Sequence, residues 1–370
     1  MFFFRWRFFL GFCLFRNLSC LVLSMDLTKL FSVGFNLGIC CTIQIALGFM
    51  LCWVYSNSLK DSFQIMYAIN DNELGSLLRL THSTMASIIY FLIFTHIFKA
   101  MFYGLVFESA HWVWLSGFCI FMVLIVLTFL GYVLPMTQMS FWGLTVFSNI
   151  LSTIPAVGNL MIYWFWGGEF INEFTLLKVH VLHIVLPMGL MGMVIMHMYL
   201  LHQYVSSDAI DRFVFYNERI MFMYWFYFRD LNVMLFICFM LNYGIFIYWS
   251  FVFHEESFII VNTQKTPEKV MPEWFFLLFF GIIKSIPSKF FGVLLLLVFV
   301  SCWSFLLCWL SLLCLCLGIV SFFCFLYWFL LFVVGWFALL TICLFPMLLG
   351  LQFGLLCVFG ISCFFWREVF

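Results

Sequence analysis

Charge is what this sequence most lacks. Only 9% of its 370 residues are charged, and 16 basic residues balance 16 acidic ones. Soluble domains carry roughly 25% charge, so a water-soluble enzyme is excluded. A net charge of zero gives no basic footprint for nucleic acid. Between Lys289 and Arg367 there is no charged residue at all, a run of 77 positions. Also missing are a C-x-x-C-H haem attachment motif and paired zinc-ligand spacing. There is no phosphate-binding glycine loop of the kind a flavin or nicotinamide domain needs. The 15 cysteines do not form a disulfide pattern, because residues such as Cys302, Cys308, Cys314 and Cys316 lie inside apolar runs, where a thiol packs as a small hydrophobe.

What remains is hydrophobicity, at 66% of residues. The composition predicts an all-α polytopic membrane protein. A span needs about 20 apolar residues. The pattern predicts spans at 30–54, 80–104, 112–134, 175–202 and 231–252. Three more fit into 290–366, with Gly318 and Pro346 as boundary marks. That makes about eight. The stretch 135–173 is too broken by Pro, Gly and Asn to span, and reads as surface helices near 138–165. Residues 1–15, MFFFRWRFFLGFCLF, imitate a signal peptide, but Arg5, Arg7 and Arg16 interrupt the pattern and favour an interfacial segment over 1–29. The expected organisation is therefore this N-terminal segment, a four-helix bundle over 30–205 and a four-span region over 206–370. With eight spans both termini share one side, and nine basic residues against seven do not orient the chain. The 55 phenylalanines suggest a T-rich organelle genome.

Four of the eight histidines form a pattern. His82 and His96 stand 14 residues apart in the second span, and His183 and His197 stand 14 apart in the fourth. On a helix that interval falls within about 40° of four full turns and rises about 21 Å. Each span thus presents two imidazoles on nearly one face, at two depths. Two such helices facing each other make two bis-imidazole sites stacked across the membrane. Such pairs suit haem iron held on both axial faces, which favours electron transfer over oxygen activation. The alternative is a set of hydrogen-bonded core histidines. Gly34 and Gly48, and Gly117 and Gly131, repeat the same interval in the first and third spans. A missing Cβ leaves room for a flat ring; the alternative is ordinary small-residue helix packing.

Several motifs resemble cytochrome b of the mitochondrial or bacterial bc1 complex: RLTH at 79–82, GYVLPMTQMSFWG at 131–143, MPEWF at 271–275 and KSIPSK at 284–289. The resemblance covers about residues 30–300. In the b6 relatives the second histidine pair is one residue wider, so the interval here favours the bc1 type. It implies that His82 and His183 ligate a low-potential b-type haem and His96 and His197 a high-potential one, both haems bound non-covalently. Arg79 and Lys99 would meet haem propionates. Glu273 would accept a proton in quinol oxidation, with Pro272 and Gly143 lining that pocket. His202 and Asp230, with Ser206, would contact quinone at the reduction site. Read without the resemblance, Glu273 is a helix-capping loop acid and Asp230 is a solvated acid paired with Arg229.

Further expectations follow from the resemblance. The chain would be the di-haem subunit of a quinol:cytochrome c oxidoreductase in the mitochondrial inner membrane. It would couple quinol oxidation at one face and quinone reduction at the other to proton translocation. Its partners would be an iron–sulfur protein and a cytochrome c1-type subunit in a dimeric complex. The sequence departs from the family at Met136-Thr137, where Trp-Gly is usual, at Phe275 for Tyr, and at Lys99 for Arg. The rivals are a transmembrane di-haem reductase, which would need the absent flavin and nicotinamide domain, and a transporter relaying protons through intramembrane histidines.

Overall fold

The chain folds as helices laid against one another, and the computed structural model describes residues 22–24, 33–102, 111–203, 219–221, 228–247 and 255–310, apart from Lys269, Met271 and Ser285. In chain order the helices are α1 (Val33–Cys52), α2 (Leu59–Asp71), α3 (Glu73–Phe102), α4 (His111–Val133), α5 (Gln138–Leu151), α6 (Gly158–Trp166), α7 (Glu173–Gln203), α8 (Phe228–Ile247), α9 (Leu277–Lys284) and α10 (Lys289–Leu310). Short 3-10 turns at Glu255–Phe258 and Trp274–Phe276 lie between α8 and α9. A two-stranded ribbon pairs β1 (Val22–Ser24) antiparallel with β2 (Arg219–Met221).

Among the described residues, α1, α3, α4 and α7 are long and apolar enough to cross a membrane. Their apolar residues run all round, and large side chains such as Phe35, Phe91, Val126 and Ile195 face outward, as lipid-exposed helices require. In hydrocarbon, helices associate through close packing rather than through exclusion of water, and small residues permit it. Here α1 packs along α3 and α4 along α7, with the four glycines at the contacts. Met85, Ile89, Phe121, Leu124 and Leu190 fill the core where the pairs meet, and Ile237 of α8, Leu278 of α9 and Phe299 of α10 extend it.

The expected surface helices are present as α5 and α6. Thr137 caps α5, its hydroxyl accepting from Ser140 N at 3.3 Å, which satisfies one of the orphan donors of the first turn. Met136, just before it, is fully buried with φ at 48°, a left-handed conformation uncommon for a residue with a side chain. Gln138 ties α5 to the loop before α9: its amide donates to Lys265 O at 2.6 Å and its oxygen accepts from Asn262 N at 2.7 Å.

The polar stretch NSLKDSFQIMYAINDNELGSLLR, 57–79, is helical from Leu59 apart from Asn72, which its charge concealed. Ser58 caps α2, and Asn72 Oδ1 accepts from Leu74 N and Gly75 N to begin α3 at Glu73 rather than near 80. The expected fifth span falls on α8 and the first of the last three on α10. The remaining two, and the N-terminal segment beyond the ribbon strand, lie outside the described residues.

Candidate functional site

His82 on α3 and His183 on α7 confront each other across the bundle. Their ring centres are 6.4 Å apart and their planes cross at 82°. Two imidazoles bound trans to one ion, at about 2 Å per bond, have centres about 6 Å apart. The gap therefore fits an axially ligated iron. His183 Nδ1 lies 3.0 Å from Leu127 O. A carbonyl only accepts, so Nδ1 carries the hydrogen and Nε2 of the neutral ring keeps its lone pair.

The second pair obeys the same logic. Ser116 Oγ donates to Val113 O at 2.8 Å, so its lone pair accepts from His197 Nδ1, also at 2.8 Å. His197 and His96 are close enough for their charges to interact, and Lys99 reaches His96 in the same way. Nδ1 of His82 and of His96 are buried without a hydrogen-bond partner. An unpartnered Nδ1 at such depth is costly; a metal bond at Nε2 would hold each ring in place without pairing its Nδ1.

Each glycine of the 14-residue pattern abuts one of these rings. A Cβ at Gly34 would lie 3.2 Å from His96 Cε1, and one at Gly48 3.0 Å from His82 Cε1. At Gly117 the distance to His197 Cε1 would be 3.0 Å, and at Gly131 it would be 2.5 Å to His183 Cε1. The room the glycines leave is thus taken by the imidazole edge from the neighbouring helix. Pro187, one turn after His183 inside α7, has no N–H for the carbonyl of His183.

One cavity of about 320 Å³ joins this pair to the PEW loop. Gly48, His82, Gly131 and His183 line it, together with Arg79 and Glu273. Arg79 Cζ sits 5.8 Å from the Phe258 ring centre, and its Nη1 is buried without a partner, a cation suited to an acidic group in the cavity. Glu273 is the residue before the Trp274–Phe276 turn, but its side chain makes no capping bond, which removes the helix-capping alternative. Burial raises its carboxyl to about 7. Tyr132 lines the same cavity and interacts with both Glu273 and Ser257.

The other sequence-predicted residues fall as follows. Gly143 and Pro272 do not line this cavity; a Cβ at Gly143 would lie 3.7 Å from Tyr132 Cε1. Asp230, in the first turn of α8, is 5% exposed, so it is not the solvated acid of the alternative reading. His202 lies in the last turn of α7, and Ser206 lies outside the described residues.

Comparison with known proteins agrees with these motifs. A family profile described as Cytochrome b/b6/petB matches residues 18–205, and one described as Cytochrome b(C-terminal)/b6/petD matches 260–353. Cytochrome b of Trypanoplasma borreli is 45% identical over 375 residues, covering 96% of this chain and 98% of that protein. Cytochrome b of Leishmania tarentolae is 47% identical, covering 80% of each. The chain belongs to the cytochrome b family. A solved chain titled "Hyperthermophilic respiratory Complex III" shares the fold, with a TM-score of 0.83 at 24% identity, covering 92% of this chain and 91% of that one.

As a cytochrome b, the chain is a membrane protein of a family that binds haem b, and the His82–His183 pair faces across a gap and a cavity. Two features escaped the sequence reading. Tyr132 follows Gly131 in GYVLP, a position that could have marked it. Cys52 Sγ lies 3.5 Å from His180 Nε2, whose ring packs against Tyr55 at 4.6 Å; nothing in the spacing of these residues signalled their meeting.

Proposed function

We propose that this chain is the di-haem subunit of a bc1-type quinol:cytochrome c oxidoreductase of the mitochondrial inner membrane, oxidising quinol at one face, reducing quinone at the other and coupling both to proton translocation. The observation that carries the reading is the shared cavity: the His82–His183 pair and the Glu273 carboxyl open into one space. A ligand there is adjacent at once to the two facing imidazoles and to a proton acceptor.

The residues divide the work. His82 and His183 would hold one haem and His96 and His197 the other, the two pairs being about 21 Å apart along the helices. When bound, the haems would supply one-electron transfer between the membrane faces. Arg79 and Lys99 would meet their propionates. Each quinol oxidised gives up two electrons and two protons: one electron and one proton would leave with the iron–sulfur partner, and the other electron would pass toward the haems. Glu273, its carboxyl poised near neutrality, takes one proton, and Tyr132 beside it lies within its electrostatic reach. At the other face His202 and Asp230 flank the quinone carbonyls and return protons to them, with Ser206 as a further contact. An iron–sulfur protein and a cytochrome c1-type subunit complete the assembly, which is dimeric.

Glu273→Gln in the assembled complex tests this reading. Quinol oxidation should fall while quinone reduction persists; equal loss of both, or of neither, removes Glu273 from the oxidation site.

A further inference from the structure

The turn that follows Glu273 is three residues long. Phe276 N donates to Glu273 O at 2.9 Å and Leu277 N to Trp274 O, which carries the turn into α9. Short 3-10 turns are held poorly by their own hydrogen bonds. The attachments come from α3. Trp274 Nε1 donates to Ser87 Oγ at 3.3 Å, near an exposed edge. Deeper in, Phe275 lies flat on Tyr90, with ring centres 4.1 Å apart and planes 4° from parallel.

Tyr90 is itself fixed at its far end. It is 1% exposed. Thr128 Oγ1 donates to Leu124 O at 2.8 Å, so its remaining capacity is to accept, and the Tyr90 hydroxyl donates to it at 3.1 Å. Thr128 stands one turn before Gly131 and Tyr132 on α4. One aromatic plane thus connects the loop acid, the helix bearing His82 and the helix bearing Tyr132. Phe275 has no hydroxyl, whereas the motif it resembles ends in Tyr; here the phenol belongs to the other ring of the stack, supplied from α3.

We propose that Tyr90 is the positioning residue of the Glu273 loop, its ring stacked on Phe275 and tethered to Thr128 so that the carboxyl two residues away stays inside the quinol cavity. The inference rests on the reading of Glu273 as the quinol proton acceptor. The other titratable groups sharing the cavity are Arg79 and His82 on α3, Tyr132 on α4, His180 and His183 on α7, Tyr55 after α1, and the thiols of Cys41 and Cys52. None of them is altered in the test.

The test compares Tyr90→Leu with Tyr90→Phe in the assembled complex, reading quinol oxidation against pH, quinone reduction and haem content. Tyr90→Leu removes the stack. It should lower kcat/KM for quinol by about tenfold or more and move the midpoint of the pH profile toward acid, since a loosened loop admits water to Glu273. Tyr90→Phe keeps the stack, loses only the bond to Thr128, and should move the midpoint less than the leucine variant does. Haem content and quinone reduction should match the unmutated complex. If Tyr90→Leu does not assemble, Phe275→Leu removes the same stack from the loop side and should give the same acid shift. An unmoved midpoint in the leucine variant, or the same shift in Tyr90→Phe, overturns the inference. Glu273→Gln separates the two layers: if it flattens the profile while the leucine variant does not move it, only the positioning role fails. If Glu273→Gln changes nothing, the proton-acceptor reading fails with it.

Discussion

Gly131 lies so close to His183 that a Cβ there would come within 2.5 Å of the imidazole Cε1, nearer than any of the other three glycines would come to its histidine. Backbone and ring cannot both keep their places if a methyl is added. The 14-residue interval on α4 and the one on α7 are therefore a single device: glycine admits the ring that the neighbouring helix supplies.

Gly131→Ala should displace the His183 ring and, if each imidazole pair holds one haem as proposed, halve the haem content. Gly34→Ala, with 3.2 Å available, should keep both, because a few tenths of an ångström of side-chain movement suffices. Haem extracted per chain from each variant complex checks this. Equal retention in the two variants would separate the glycines from the ligand geometry.

His197→Ala deletes a ligand from the second pair and leaves His82 and His183 untouched. One haem should be lost and one kept, read as a simplification of the reduced b-band absorption and of the redox titration from two components to one. Loss of both, in a complex that still assembles, would show that the sites are not independent.

Glu273 titrates near 7 because burial disfavours its charged form. Below that pH the carboxyl is protonated and cannot accept; above it the carboxylate is ready. Quinol oxidation should rise as pH increases through about 7 and then level. Glu273→Gln should remove that limb and slow the reaction by about tenfold or more. Rates at a series of pH values, for both forms, decide it; a limb that persists in the glutamine variant belongs to another group.

Thr137→Ala removes the hydroxyl that caps α5. The loss should be about 1 kcal/mol, seen as a lower unfolding midpoint of the complex with haem content unchanged. Met136 beside it stores left-handed strain, so the cap and the strained residue sit at the same corner. A midpoint identical to that of the unmutated chain would mean that the contacts of Gln138 alone hold this corner.

The histidine pairs were legible because a helix converts interval into direction. Four numbers, 82, 96, 183 and 197, sufficed to place four rings on facing helices. Apolar runs gave α1, α4 and α7 to within a few residues. The start of α3 was hidden, because Glu73 and Arg79 made its first turns resemble a loop. Helix α2 was hidden for the same reason, its apolar face being only half of it. The tight packing of the glycines was legible as an interval, but not its occupant: the spacing fits a flat macrocycle and an imidazole edge alike. The Tyr90–Phe275 stack and the Cys52–His180 contact join residues more than 120 positions apart, and no periodic signal connects such positions.

The proposed function requires four imidazoles to hold two haems between four spans. The purified complex should contain two non-covalent haem b groups per copy of this chain, visible as b-type bands on reduction with dithionite and resolved as two midpoint potentials. A complex carrying one haem b per chain, or none, would contradict it.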